Sequence, residues 1–281
     1  MGNIAIVSCT SCDLTPEQAQ AVGVRLVPLK VTFGSDTYDT ITELSNEEFY
    51  RKLTAPGAPF PRTTAVNPTQ FEAAFREALD DGADGVVCIT ISQGMSATYS
   101  AAVQAAERFE AGVVQVIDSR TVTQAQGLIV KRTADLAATG AGQAEVVDLA
   151  HDLAGRTRLL FTPNTLEYLQ KGGRIGRASA LLGSVLSIKP ILGVEEGVVA
   201  TVDKKRTSAK ARARLLELIG GYDAEEVAVL HTGVPDLDAY RQQVAQACGR
   251  PVDELEVGMA GPVAGSHVGP GMVGVSLILT A

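Results

Sequence analysis

The sequence lacks an excess of basic residues. Its 24 Lys and Arg stand against 32 Asp and Glu, for a formal net charge of -8 and a pI near 5.0. A nucleic-acid backbone favours a basic footprint, so this balance argues against nucleic acid as a partner. There is no apolar run of about 18 residues, the length that suggests a membrane span. The opening residues, MGNIAIVSCTSCDL, have no basic segment ahead of an apolar core, and Asp13 interrupts them early. A cytoplasmic protein without a membrane span is expected. Cysteines number four, and only Cys9 and Cys12 stand as C-x-x-C, with no second pair or nearby histidine to complete a metal or redox site. Cys88 and Cys248 read as structural, and no metal or cofactor is expected. A G-x-x-x-x-G-K-S/T loop for cradling nucleotide phosphates is missing too, which argues against direct phosphotransfer. Neither an internal repeat nor a low-complexity tract is found.

What is present is material for a buried core. Apolar residues make up 46% of the 281, enough for one large domain or two ordinary ones. Strand-like and helix-like patterns alternate, which predicts an α/β fold with a mostly parallel sheet in the N-terminal half. Residues 3–8, 85–92 and 113–118 read as buried strands, and residues 25–33 (RLVPLKVTF) as another. Thr15 before Pro16, Ser45 before an acidic turn, and Asn67 before Pro68 mark helix starts. Beyond residue 142 come a strand at 158–161, a helical stretch at 165–186 broken at the Gly172-Gly173 pair, and short strands around a Glu196-Gly197 turn. A boundary near residue 155 divides the chain into an N-terminal α/β domain, 1–155, and a mixed-sheet α/β domain, 156–281, with a ligand expected between them.

Three small-residue loops are candidates for holding a ligand. In residues 62–68, Asn67 already caps the next helix, so Thr63 and Thr64 are surplus to capping; they either bind or lie in a solvated turn. Residues 92–99 join a buried strand to a helix, where ligands gather and helix amides face anions. Ser92, Ser96 and Thr98 lie there, and the plain alternative is a helix cap. Residues 265–271 set His267 among glycines, where backbone can approach a ligand closely and an imidazole can donate to a carboxylate. A Gly-Gly pair within a helix costs roughly 1 kcal/mol per glycine relative to alanine, so the chain turns or is closely approached just before Arg174. That arginine can pair with a carboxylate or phosphate, on a ligand or on a partner, or remain an ordinary surface arginine.

The landmarks in order are PLKVTFGSDTYD, the Thr63-Thr64 loop, ITISQGMSATYSAA, VIDS, LEYLQKGGRI, IKPIL, KKRT and the terminal GPVAGSHVGPG. Over essentially its whole length the chain resembles the DegV family of bacterial fatty-acid-binding proteins. The resemblance implies two α/β domains and a long-chain fatty acid held non-covalently, without catalysis by this chain. It implies that the carboxylate is gripped by Thr63, Ser96 and His267, with Thr64 and Ser92 as further hydroxyls. It further implies a separate ATP-dependent fatty acid kinase subunit that makes acyl-phosphate, with Arg174 as a contact for it. This sequence departs from the family pattern at Ser8-Cys9-Thr10, where T-D-S is usual, and at Ser96-Ala97-Thr98, where S-G-T is usual. Ala180, Leu181, Leu182, Val185, Leu186 and Ile188 could line the acyl tunnel or be ordinary core.

Two other readings compete. Gly94-Met95-Ser96-Ala97-Thr98 looks like a nucleophile elbow without its last glycine, and a serine esterase or lipase would use Ser96, His267 and an acid such as Asp118. The cations Lys204, Lys205, Arg206, Lys210, Arg212 and Arg214 would serve a bare interaction protein, or form a solvated face.

Overall fold

The computed structural model describes residues 2–182 and 188–281. The sequence positions Val185 and Leu186 lie outside the described residues. Four parallel strands form the first sheet, in the order Val24–Val27, Ile4–Cys9, Gly85–Thr90, Val114–Asp118. Both of its faces are covered. Ile4, Ile6, Val87 and Ile89 pack against the helices Thr123–Ala138 and Gln143–Arg156, while Val7, Cys9, Val86 and Cys88 meet Phe71, Phe75 and Ala102 from two other helices. Side chains alternate faces along a strand, so burial on both sides requires the continuous apolar runs seen in the sequence.

The second sheet is mixed and holds six strands: Val198–Lys205, Lys189–Glu195, Thr157–Thr162, Val273–Leu279, Ala224–His231 and Glu256–Met259. Only the last two of these neighbours run parallel. On one face Leu160, Ile191, Val229 and Leu277 pack with the helices Ser208–Ile219 and Leu237–Cys248. Leu159, Phe161, Leu192, Val199 and Leu230 belong to a separate apolar cluster with Ala264 and Met272.

The expectation of one strand over residues 25–33 is corrected. Val24–Val27 ends in the parallel sheet, and Lys30–Phe33 starts a three-stranded antiparallel sheet with Asp36–Asp39 and Arg62–Thr64. Pro28 cannot donate to a ladder, so the strand stops there and the chain changes sheet. The Thr10 hydroxyl accepts the freed Leu29 amide at 3.0 Å.

Residues 62–64 therefore begin as a sheet edge rather than a loop, with Thr63 opposite Val31. Its neighbours Arg62 and Thr64 are exposed, so alternation turns Thr63 the other way. The glycine-rich stretch around His267 is likewise mostly helical, from Pro262 to Val268, and only Gly269 and Gly271 beyond it adopt left-handed backbone. Pro262 suits the first helical turn, which composition alone concealed behind four glycines. The Gly172-Gly173 break falls where expected: Gly173 has φ 70° and the Arg174 amide reaches back to the Leu169 carbonyl at 3.0 Å.

Candidate functional site

An apolar cavity lies against one face of the mixed sheet. Leu159, Phe161, Val194, Val199 and Leu230 supply the sheet side of its wall, and Met95, Val122, Ala264 and Met272 close it. A second, open cleft adjoins it, lined by Pro59, Phe60, Arg62 and Lys171. Thr63, Arg174 and His267 line both spaces and so mark the junction of the apolar interior with the open cleft.

The geometry at this junction is tight. Thr63 Oγ1 and His267 Nε2 share a hydrogen bond of 2.9 Å. His267 Nδ1 is buried without a partner among the described residues. Burial, with the Arg174 guanidinium nearby, pushes the imidazole down to about 4, so it is neutral at pH 7. Arg174 is fixed by carbonyls: its Nε donates to Met95 at 3.1 Å and its Nη1 to Gly172 at 2.8 Å. Ser96, on the cavity wall, pairs with Thr98 hydroxyl to hydroxyl at 2.9 Å. One cation, one neutral imidazole and one hydroxyl therefore meet at the junction of the two spaces, with the Ser96 hydroxyl on the wall of the apolar one.

The remaining positions named from sequence stand elsewhere. Ser92 is buried, donates to the Gly197 carbonyl at 2.7 Å and accepts from the Gly94 amide at 3.1 Å, so it clamps the 195–198 hairpin rather than facing the cavity. Thr64 is exposed on the edge of the small sheet. The described members of the apolar stretch at Ala180, Leu181, Leu182 and Ile188 do not form the cavity wall, which comes from inward strand positions instead. Those strands read as core in the sequence, because a core and a ligand cavity need the same side chains.

Two further positions matter here. Gly172 leaves room for the histidine: a Cβ there would stand 2.2 Å from His267 Nδ1 and 2.9 Å from the Tyr168 carbonyl. The Gly-Gly pair was the signal, read as a turn or a close approach: Gly173 carries the turn and Gly172 the approach of the ring. Gly172→Ala should therefore displace the imidazole and break its bond to Thr63. An NMR titration of His267 should show its pKa moving back toward 6.5; a value still near 4 would show the ring unmoved. Thr123, on the cavity wall, is the second, and nothing in the sequence singled it out.

No relay joins Ser96, His267 and Asp118. Ser96 bonds Thr98, His267 bonds Thr63, and Asp118 Oδ1 accepts from the Arg120 and Gln93 amides at 2.8 and 3.3 Å. Half of the basic run is paired in place: Asp203 meets Arg214 at 2.8 Å and Lys205 at 3.2 Å, and Arg212 pairs with Asp236. Cys9 and Cys12 are buried free thiols, and burial pushes the Cys12 thiol up to about 12, which leaves it protonated and unreactive. Among the described residues no helix is long and apolar enough to cross a membrane. No group of three or more His, Cys, Asp or Glu among them could hold a metal ion.

Comparison with known proteins agrees with this architecture. The model of a family described as "Uncharacterised protein, DegV family" matches residues 3–280. A DegV domain-containing protein of Deinococcus radiodurans is 38% identical over 281 residues, covering 98% of each chain. One from Streptomyces coelicolor is 35% identical over 283 residues, covering 97% of each. Among solved structures, a fatty-acid-binding DegV family protein from Thermus thermophilus superposes with TM-score 0.90 at 34% identity, covering 100% of both chains. DegV from Bacillus subtilis, described as a fatty acid binding protein, gives 0.86 at 27% identity, again over 100% of both. A stearic-acid-binding protein from Eubacterium ventriosum gives 0.88 at 25% identity, over 99% of this chain and 98% of that one.

Proposed function

The chain belongs to the DegV family, and from that premise we propose that it holds one long-chain fatty acid non-covalently and offers its carboxylate to a separate ATP-dependent kinase subunit. The tail lies in the apolar cavity and the carboxylate stops at Thr63, Ser96, His267 and Arg174. One observation carries this reading: Thr63, His267 and Arg174 line both the apolar interior and the open cleft. Burying about fifteen methylenes contributes up to roughly 12 kcal/mol, at about 0.8 each, before association costs. The tail therefore sets affinity, and the donors set orientation.

The neutral imidazole can donate from Nε2, with Thr63 and Arg174 supplying further donors. A carboxylate seated there would offset the repulsion from Arg174 and raise the His267 pKa. The kinase arm of the proposal draws support from the site's position: the headgroup end faces the open cleft, where a second protein can reach it. Acyl-phosphate would form by transfer of the ATP γ-phosphoryl group to a carboxylate oxygen, with ADP leaving.

Purified protein, denatured and examined by mass spectrometry, should release an unmodified fatty acid. Thr63→Ala and His267→Ala should weaken retention about tenfold each with the melting point held, since each removes a hydrogen-bond donor to a charged group. Undiminished retention in both would reject this placement of the headgroup. With kinase present, Arg174→Ala should cut acyl-phosphate formation more than fatty-acid retention; the reverse order would assign Arg174 to the ligand alone.

A further inference from the structure

Thr123 is a polar residue of the cavity wall that the carboxylate reading leaves unused. It lines the apolar cavity but not the adjoining cleft. The residue is 3% exposed, and its Oγ1 is buried without a hydrogen-bond partner among the described residues. Buried hydroxyls are nearly always paired, because an unpaired one forfeits its bonds to water. Neighbouring wall residues Ile91, Val122 and Leu159 have no side-chain acceptor or donor to give it.

The hydroxyl is held there against local preference. Thr123 has φ 61°, a left-handed backbone that a β-branched residue rarely adopts. The preceding loop fixes it: the Ser92 amide donates to the Thr121 carbonyl at 2.9 Å, the Ser119 hydroxyl donates to the same carbonyl at 3.2 Å, and the Arg120 amide donates to Asp118 at 2.8 Å. Thr123 also opens the 16-residue helix Thr123–Ala138, whose N-cap residue Val122 supplies no side-chain cap. First-turn amides of that helix add a positive field on the same side.

We propose that Thr123 is a second polar contact for the acyl ligand, selecting a chain that carries a hydroxyl along its length over a plain one. The proposal rests on the reading that the cavity holds an acyl tail. A threonine hydroxyl both donates and accepts, so it can pair with a chain hydroxyl in either sense. A site that hydrogen-bonds a ligand hydroxyl disfavours the analogue lacking it, because its own polar group is then left unpaired.

The test is calorimetric titration of ligand-stripped protein with octadecanoic acid and with hydroxyoctadecanoic acids substituted at each position along the chain. At least one isomer should bind about tenfold more tightly than the plain acid, the expected worth of one buried hydrogen bond. Thr123→Val keeps β-branching and should abolish that preference, weakening the hydroxylated acid relative to the plain one; Thr123→Ser should keep it. Equal or weaker binding by every isomer overturns the proposal, as does an equal effect of Thr123→Val on plain and hydroxylated acids. If the plain acid does not bind the wild type at all, the acyl reading itself fails, and the two failures are thereby told apart.

Discussion

Ala264→Phe is expected to lower fatty-acid affinity by a factor of a few hundred without unfolding the protein. Ala264 is 6% exposed and sits on the cavity wall beside Met272 and opposite the mixed sheet. The phenyl ring added there would compete for the space that Ala264 lines, so it meets less of the overpacking strain that enlarging a filled core brings. It would displace about four methylenes of a bound tail, and at about 0.8 kcal/mol each the loss is roughly 3 kcal/mol. Titration with octadecanoic and dodecanoic acids separates this from a headgroup effect. The shorter chain should lose much less, and equal losses for both would show that the tail does not occupy this space.

Asp13→Asn should remove a large pH dependence of stability. Asp13 is part-exposed as a residue, yet its Oδ2 is buried without a partner among the described residues. Its Oδ1 accepts from the Gly261 amide at 3.0 Å, at the start of the short helix that carries His267. Burial raises this carboxyl from 3.8 to about 8, and the Gly261 amide offsets only part of that. Between these values the folded state holds a proton that the unfolded chain has released. Stability therefore falls as pH rises from about 4 to about 8 and levels off above, by up to about 5 kcal/mol. Asparagine tolerates the left-handed backbone at this position (φ 56°) and carries no charge to bury. Urea unfolding at pH 5, 7 and 9 should give wild type and variant close together at pH 5. The variant should be clearly more stable at pH 9. Parallel curves across that range would show that Asp13 ionises freely in the folded protein.

Much of this protein was legible in order along the chain. Thr15, Ser45 and Asn67 cap their helices as read, because a cap is a local hydrogen bond between residues three apart. The α/β architecture, with a parallel first sheet and a mixed second one, followed from buried strands alternating with amphipathic helices. Local reasoning failed where backbone donors are missing or glycines mask a helix: Pro28 divides one apolar run between two sheets, and His267 closes a helical turn.

The layers and the kinds of group available were readable along the chain, since capping, alternation and glycine tolerance all act over a few residues. The folded arrangement is what brings Thr63 and His267, 204 positions apart, into a hydrogen bond while Ser92 turns to a hairpin carbonyl. It alone decided that one face of the mixed sheet borders a cavity, and that the Thr123 hydroxyl stands on its wall unpaired among the described residues. The physical reason is that apolar periodicity reports which side chains leave water but not whether protein atoms or a ligand will meet them.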